Sequence, residues 1–158
     1  MSDLNAEIEA RVREERELQF EAFSNERALE LGLAIVERAR KEGRAVTVDI
    51  ERDGQQLFHH AMTGTTMDND EWIKRKIRVV HRFGKSSFHV GQILARSAVT
   101  IQDKSFVDPM MFSAHGGSFP IIINNTGIIG TVTVSGLPQE EDHRLVTSVI
   151  REFVGQSR

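Results

Sequence analysis

The order of hydrophobic and polar positions divides the chain into helices and β-hairpins. Residues 25–42 carry a broad apolar stripe at helical spacing, with Ser24 placed to cap the start and Gly43 placed to end the helix. Residues 45–62 alternate apolar and polar side chains around Asp53-Gly54, a dipeptide that favours the tight turns of hairpins. This segment is therefore predicted to form two paired strands.

The same patterns predict five further regions of regular structure. A thin apolar line predicts a charged helix over residues 3–18, and polarity this high indicates that the helix docks on something. The spacing of Asp68 and Glu71 matches a capping box at the start of a third helix, which ends near Phe83. The remaining predicted elements are a helix over 87–99, a hairpin of strands 119–124 and 128–135, and a helix over 139–154.

This order, two helices and a hairpin repeated and followed by a last helix, predicts an α+β domain with an antiparallel sheet and helices packed against it. The length of 158 residues fits one compact domain. Residues 100–118 show no clean period and contain Pro109. Long irregular connections in compact domains are often functional, so this segment is a candidate site.

Composition removes several classes of chemistry. The chain has no cysteine, which excludes disulfides, zinc–thiolate sites, iron–sulfur clusters held by thiolates and thiol nucleophiles. It also has no tyrosine, so acid–base and ligand chemistry near neutral pH falls mainly to six histidines. Residues 1–17 alternate in charge, and no stretch approaches the length of a membrane span. We therefore expect a cytoplasmic protein that does not insert into membranes.

The net charge of -3 conceals an acidic and a basic region. Residues 1–42 hold eleven acidic and seven basic side chains, whereas residues 68–104 hold four acidic and eight basic ones. Arg75, Arg78 and Arg82 share one face of the third helix, an arrangement suited to phosphate or carboxylate groups, haem propionates included. The alternative is a solvated face whose acidic partner is the N-terminal helix, from the same chain or another subunit. Nucleic acid is not expected, because basic and aromatic residues do not interleave.

The sequence around His115, Gly116 and Gly117 is the most unusual local feature. Two glycines allow backbone N–H groups to approach a ligand closely and form an anion nest. His115 stands beside this turn, where it could coordinate iron or bond a carboxylate, although a lone histidine before a glycine turn is often only structural. Because the chain has no cysteine or tyrosine, any haem bound here would take its protein ligand from histidine or methionine. His115 is the first candidate for this ligand, and His143, Met110 and Met111 come after it.

Several motifs together resemble the haem-degrading, GlcG/HbpS-like domain family, in particular its short, uncharacterised cytosolic branch. The resemblance covers roughly residues 20–155. It rests on the stretches His115-Gly116-Gly117-Ser118-Phe119-Pro120-Ile121, Gly127 to Gly136, Glu141-Asp142-His143, Asp70 to Lys76, and Arg82 to Ser87.

The resemblance implies a profilin-like fold with a five-stranded antiparallel sheet, helices on both sides, and assembly into homodimers or larger oligomers. Four strands are visible in the pattern, so the fifth is expected within residues 100–115. Residues 1–22 then form an N-terminal helical arm and residues 23–158 the family domain. His115, Gly116, Gly117, Ser135 and Asp142 match motif positions and are candidate ligand-binding residues.

Three functions remain open on the sequence alone. The first is binding of a small anion, haem among the candidates, with no metal site apart from His115 as a haem ligand. The second is an enzyme that degrades haem oxidatively; the chain shows neither a flavin nor a nicotinamide motif to supply electrons, which weighs against it. The third is a non-enzymatic assembly protein whose N-terminal helix joins subunits.

Overall fold

A computed structural model of the protein describes residues 3–156, within which the chain forms six helices and four strands. The elements in chain order are α1 (Leu4–Glu17), α2 (Asn25–Lys41), β1 (Thr47–Arg52), β2 (Gln55–Ala61), α3 (Met67–Phe83), α4 (Ser87–Ser97), α5 (Ile101–Ser105), β3 (Ser118–Ile123), β4 (Gly127–Ser135) and α6 (Gln139–Gln156). None of the helices in this part of the chain combines the length and apolar character needed to cross a bilayer.

The helix ends are set by local side-chain chemistry. The Ser24 hydroxyl accepts a hydrogen bond from the Arg27 amide at 3.1 Å, which confirms the predicted cap of α2. The prediction for α3 was wrong by two residues, because the capping box is formed by Thr66 and Asn69. Thr66 has the extended backbone of a cap, and its amide donates to Asn69 Oδ1 at 2.9 Å.

The four strands form one antiparallel sheet in the order β2-β1-β4-β3. Asp53 and Gly54 both have positive φ, at 52° and 85°, as the predicted β1–β2 turn requires. The edge of β3 is joined by Phe20, whose amide donates to the Ile122 carbonyl and whose carbonyl accepts from the Asn124 amide. Strand β2 forms the other edge.

The two faces of the sheet differ in polarity. One face packs apolar side chains against α2 and α6, and its fully buried members are Val48, Ile50, Phe119, Ile121, Val132 and Val134. Each such side chain stabilises the fold by roughly 1.5–3 kcal/mol. The other face carries Thr47, Asp49, Thr131 and Thr133, all buried, and α3 packs over this side. The expectation of helices on both sides of the sheet is confirmed.

The prediction of a fifth strand is wrong, because the sheet has four strands. The segment where it was placed forms the short helix α5 and then an irregular path to β3. Ala98 and Phe106 on either side of α5 adopt left-handed backbone conformations, with φ of 53° and 55°, and Pro109 has no N–H to donate to a strand ladder. These features break the extended conformation that a strand needs.

Candidate functional site

A cavity of about 970 Å³ opens beside the irregular segment that the sequence indicated as a candidate site. Its walls come from α1, α4, the first half of α6, Arg75 of α3, and residues within 99–115. Apolar wall residues include Phe88, Leu94 and Phe112, and charged ones include Arg11, Arg75, Arg144, Glu7, Glu14 and Glu140. The volume and the mixture of apolar and polar walls are typical of sites for small molecules.

His115 lies in the wall of this cavity, with its imidazole facing Trp72 edge-on at 5.4 Å between ring centroids. Its Nδ1 atom is 2.8 Å from the Ser113 hydroxyl, which leaves Nε2 as the nitrogen able to meet a ligand. Burial lowers the pKa of His115, and the positive charges of Lys76 and Arg75 lower it further. Both effects favour the neutral form of the ring, which is the form that coordinates metals.

The glycine pair after His115 fits closely between α6 and β4. The Gly116 amide donates to Gln139 Oε1 at 2.9 Å, and the Gly117 carbonyl accepts from the Val134 amide at 2.9 Å. A Cβ atom on Gly117 would collide with the Val134 carbonyl oxygen and lie 2.7 Å from Lys76 Nζ, and the backbone there has φ of 140°. In this structure the glycines permit close packing, and the Gly116 amide is already occupied by a side chain.

Asp142 and Ser135 lie outside the cavity wall, in the interior behind the glycine turn. Asp142 is 2% exposed and forms an ion pair with Lys76, whose Nζ atom also donates to the Val134 carbonyl at 3.1 Å. Burial raises the pKa of the Asp142 carboxyl to about 6, against the opposing effect of Lys76. The Ser135 hydroxyl accepts from Asn69 Nδ2 at 3.3 Å. Sequence reasoning missed Lys76, because its neighbours in the chain are typical of a solvated basic helix.

The arginines of α3 hold the irregular segment through its backbone. Arg75, Arg78 and Arg82 donate to the carbonyl oxygens of Pro109, Met111 and Ser105 at 2.8, 3.3 and 3.4 Å. Within residues 3–156, the hydrogen-bond partners of these guanidiniums are thus neutral carbonyl groups and not carboxylates of the N-terminal helix. Arg75 alone of the three lines the cavity, and its guanidinium lies 4.6 Å from the Trp72 ring centroid.

Helix α1 closes one side of the cavity by placing two carboxylates on buried histidines. Glu14 lies 2.9 Å from His143 Nε2, and Glu15 lies 2.9 Å from His89 Nδ1. His89 and His143 are each 3% exposed. Although burial opposes it, contact with His143 and Arg11 holds the pKa of Glu14 below its usual value. One hint of these contacts is visible in the sequence: the line of apolar residues along this helix is interrupted at Glu15.

The other candidate haem ligands are less accessible or lie elsewhere. His143 lines the cavity, but its Nε2 atom is bound to Glu14 and its Nδ1 atom is buried without a partner in the described structure. Met110 and Met111 are exposed and do not line the cavity. Across residues 3–156, no three histidine, aspartate or glutamate side chains are grouped as ligands of a metal ion.

Comparison with known proteins gives the chain a family. A family model described as "Haem degrading protein HbpS-like" matches residues 23–151. The chain belongs to this HbpS-like family. Among curated relatives of this HbpS-like protein, a UPF0303 protein of Streptomyces coelicolor is 48% identical over 143 residues, which cover 90% of each chain.

Solved structures agree with the fold of this HbpS-like protein. The crystal structure of the Ybr137w protein is similar at a TM-score of 0.88 and 32% identity, covering 95% of this chain and 88% of that one. A PduOC–haem complex is similar at a TM-score of 0.69 and 20% identity, covering 82% and 93% of the two chains. At that identity the second likeness shows the fold alone. The family and α+β fold expected from the sequence are confirmed.

Proposed function

We propose that this protein binds a small anionic ligand, with haem as the first candidate, in the cavity between α1, α4, α6 and the 99–115 segment. The observation that carries the proposal is the presence of His115 and Arg75 in one cavity wall. They supply a neutral imidazole nitrogen for iron and a guanidinium for a carboxylate. Membership of the HbpS-like family and the haem-bound structural neighbour support the choice of haem.

The residues in the cavity wall have the chemical character that a haem requires. Phe88 and Phe112 offer apolar surface for a porphyrin, and Arg75 and Arg144 offer positive charge for its propionates. Haem, when bound, supplies an iron with redox and oxygen chemistry. The protein would hold it through His115 Nε2, since the Nδ1 atom already bonds Ser113.

Polar atoms without partners in the cavity walls also support a binding role. Arg75 Nε, Gln92 Oε1 and His143 Nδ1 are buried, and none has a hydrogen-bond partner within the described residues. Each such atom costs roughly 1–3 kcal/mol, so three in the walls of one cavity are unusual for a purely structural region.

Parallel titrations with ferric haem and iron-free protoporphyrin test the proposal. We expect a saturable change in the Soret band of haem for wild type. For His115→Ala, haem should bind more weakly and its Soret band should lie at a different wavelength. Binding of the iron-free porphyrin by this variant should be unchanged. Arg75→Gln should weaken both ligands. His81→Ala and Arg16→Gln are the matched controls, because both residues are exposed and neither lines the cavity. An unsaturable wild-type titration, or equal haem spectra for wild type and His115→Ala, would contradict the proposed site.

A second copy of this chain is the proposed macromolecular partner. The ion pairs of α1 show which of its carboxylates are already used within one chain. Glu14 and Glu15 bond histidines of their own chain, and Arg151 of α6 pairs with Glu17 at 2.9 Å. These three carboxylates are thus engaged within one chain, which favours an assembly surface that does not depend on them.

A further inference from the structure

Strand β2 is an open edge of the sheet that is only partly protected against pairing, because a β-bulge at Leu57 interrupts its register with β1 while residues 58–61 stay in regular register. Strand β2 is paired on one side by β1, and no strand within residues 3–156 pairs with its other side. Natural edge strands are commonly blocked by lysine or proline, but β2 has the sequence QQLFHHA with neither. The Met62 amide donates to the Val46 carbonyl, so by alternation the backbone groups of His59 and Ala61 point outward.

An apolar stripe on α2 runs beside this edge. Leu29 and Leu33 are 45% and 55% exposed, and Val36 continues the same flank of the helix. The position of the flank follows from contacts: the Phe58 ring of β2 lies against Gly32, and Val36 borders the same surface depression as His60. The opposite flank of α2 faces α6 through the Arg38–Glu152 ion pair.

The charges along this flank are symmetric about Leu33. Glu26 and Arg40 stand seven residues before and after it, so all three side chains share a face of the helix. If two α2 helices pack antiparallel with Leu33 at the centre, Glu26 of each meets Arg40 of the other. Arg40 is 72% exposed in its ion pair with Glu37, so it is able to reach a second acidic partner.

We propose that β2 and α2 form an interface with a second copy of this chain about a twofold axis. In this interface the two β2 strands pair antiparallel, and the two α2 stripes pack beside them with crossed Glu26–Arg40 pairs. A twofold axis requires the same surface on both partners to be self-complementary. An antiparallel strand edge and a helix with opposite charges at equal distances from its central leucine both meet that requirement.

Light scattering on the full chain tests this interface. Wild type should contain an even number of chains of 17.8 kDa, and Leu33→Glu should reduce the particle mass to half or less while leaving the circular dichroism spectrum unchanged. Met110→Glu is the control, since Met110 is 80% exposed on another surface. A monomeric wild type, or a Leu33→Glu particle of unchanged mass, overturns the proposal.

Charge reversal tests the pairing itself. Glu26→Arg and Arg40→Glu should each weaken association by about tenfold, because each brings like charges together twice in the dimer. The double variant should recover wild-type association. Failure of the double variant to recover would show that these two residues do not face each other.

Cross-linking gives an independent check, because the chain has no cysteine of its own. Leu33→Cys should form a disulfide-linked dimer under mild oxidation much faster than Met110→Cys. Equal rates for the two variants would place Leu33 away from the axis and overturn the proposal.

Discussion

The Nζ atom of Lys76 lies 3.0 Å from Oδ2 of Asp142, and both side chains are at least 96% buried. Lys76→Met leaves a buried carboxylate without its cation, so we expect a loss of about 3–5 kcal/mol in unfolding free energy. Adding Asp142→Asn should recover part of that loss. Urea denaturation measures both, with Lys74→Met as the exposed control. A variant at Lys76 that unfolds like the control would show that the pair contributes nothing to stability.

Asp49 gives the protein a pH dependence of the opposite kind to ordinary carboxylates. Burial raises its pKa to about 7, with a further rise from Glu51, and its Oδ1 atom has no hydrogen-bond partner in the described structure. The folded protein therefore binds a proton here that the unfolded chain releases, and stability falls as the pH rises from about 4 to about 7. Asp49→Asn should remove this decline and stabilise the fold at pH 8 by roughly 1–3 kcal/mol. Melting temperatures across this range, with Asp53→Asn as a surface control, decide the point.

Glu14 should show the reverse dependence. Its pKa is held low by His143 and Arg11 against the effect of burial, so its contribution is complete at neutral pH and is lost as the pH falls through the folded-state value. We expect Glu14→Gln to reduce unfolding free energy at pH 7 by roughly 1–3 kcal/mol and to flatten the acid limb of the stability profile. Glu9→Gln, on the exposed side of the same helix, is the control. Equal acid limbs for wild type and Glu14→Gln would contradict the assignment.

Gly117 and Gly155 should respond oppositely to alanine. Gly117→Ala places a Cβ against the Val134 carbonyl and forces φ of 140° on an L side chain, so we expect a loss of roughly 2 kcal/mol or more. Gly155 lies in α6, where a Cβ atom would have open space within 4 Å, and its replacement should gain up to about 1 kcal/mol. Thermal unfolding of the two variants, each measured against wild type, tests the contrast. Tolerance of alanine at position 117 would show that the turn is loosely packed.

Removing the side chains of Arg78 and Arg82 should make the segment that they hold more mobile. Arg78 and Arg82 bind carbonyl groups of residues 105–111, which otherwise lack regular structure after α5. Replacing both by alanine should speed hydrogen exchange in residues 105–112 by roughly tenfold, while β1 and β4 keep wild-type protection. Lys104→Ala, a cation on the same segment, should leave exchange unchanged. Equal exchange in wild type and the double variant would mean that the segment is held by other contacts.

Local signals predicted the elements of this fold well. Ser24, the Asp53-Gly54 turn and the second hairpin act through neighbours a few residues away, and the structure confirms each of them. The cap at Thr66 was misplaced because Asp68 and Glu71 offer the same chemistry two residues later. The fifth strand was expected from family resemblance, and residues 98–109 lack the backbone conformation to form it.

The candidate site was less predictable, because its contacts join distant parts of the chain. His115 and Arg75 were selected from local patterns, and both line the cavity. Lys76 pairs with a carboxylate 66 residues away, and Glu14 bonds a histidine 129 residues away. Only the tertiary fold brings such groups together, and burial then changes their chemistry from that of a solvated helix face.

The hydrogen bonds of Phe20 along β3 limit how large any assembly built on this sheet can become. Strand pairing between two copies through β2 would leave only the β3 edges, and Phe20 already binds the backbone of each at Ile122 and Asn124. Growth by strand addition therefore terminates at about eight strands, and the protein avoids the endless ribbon that two open edges would permit.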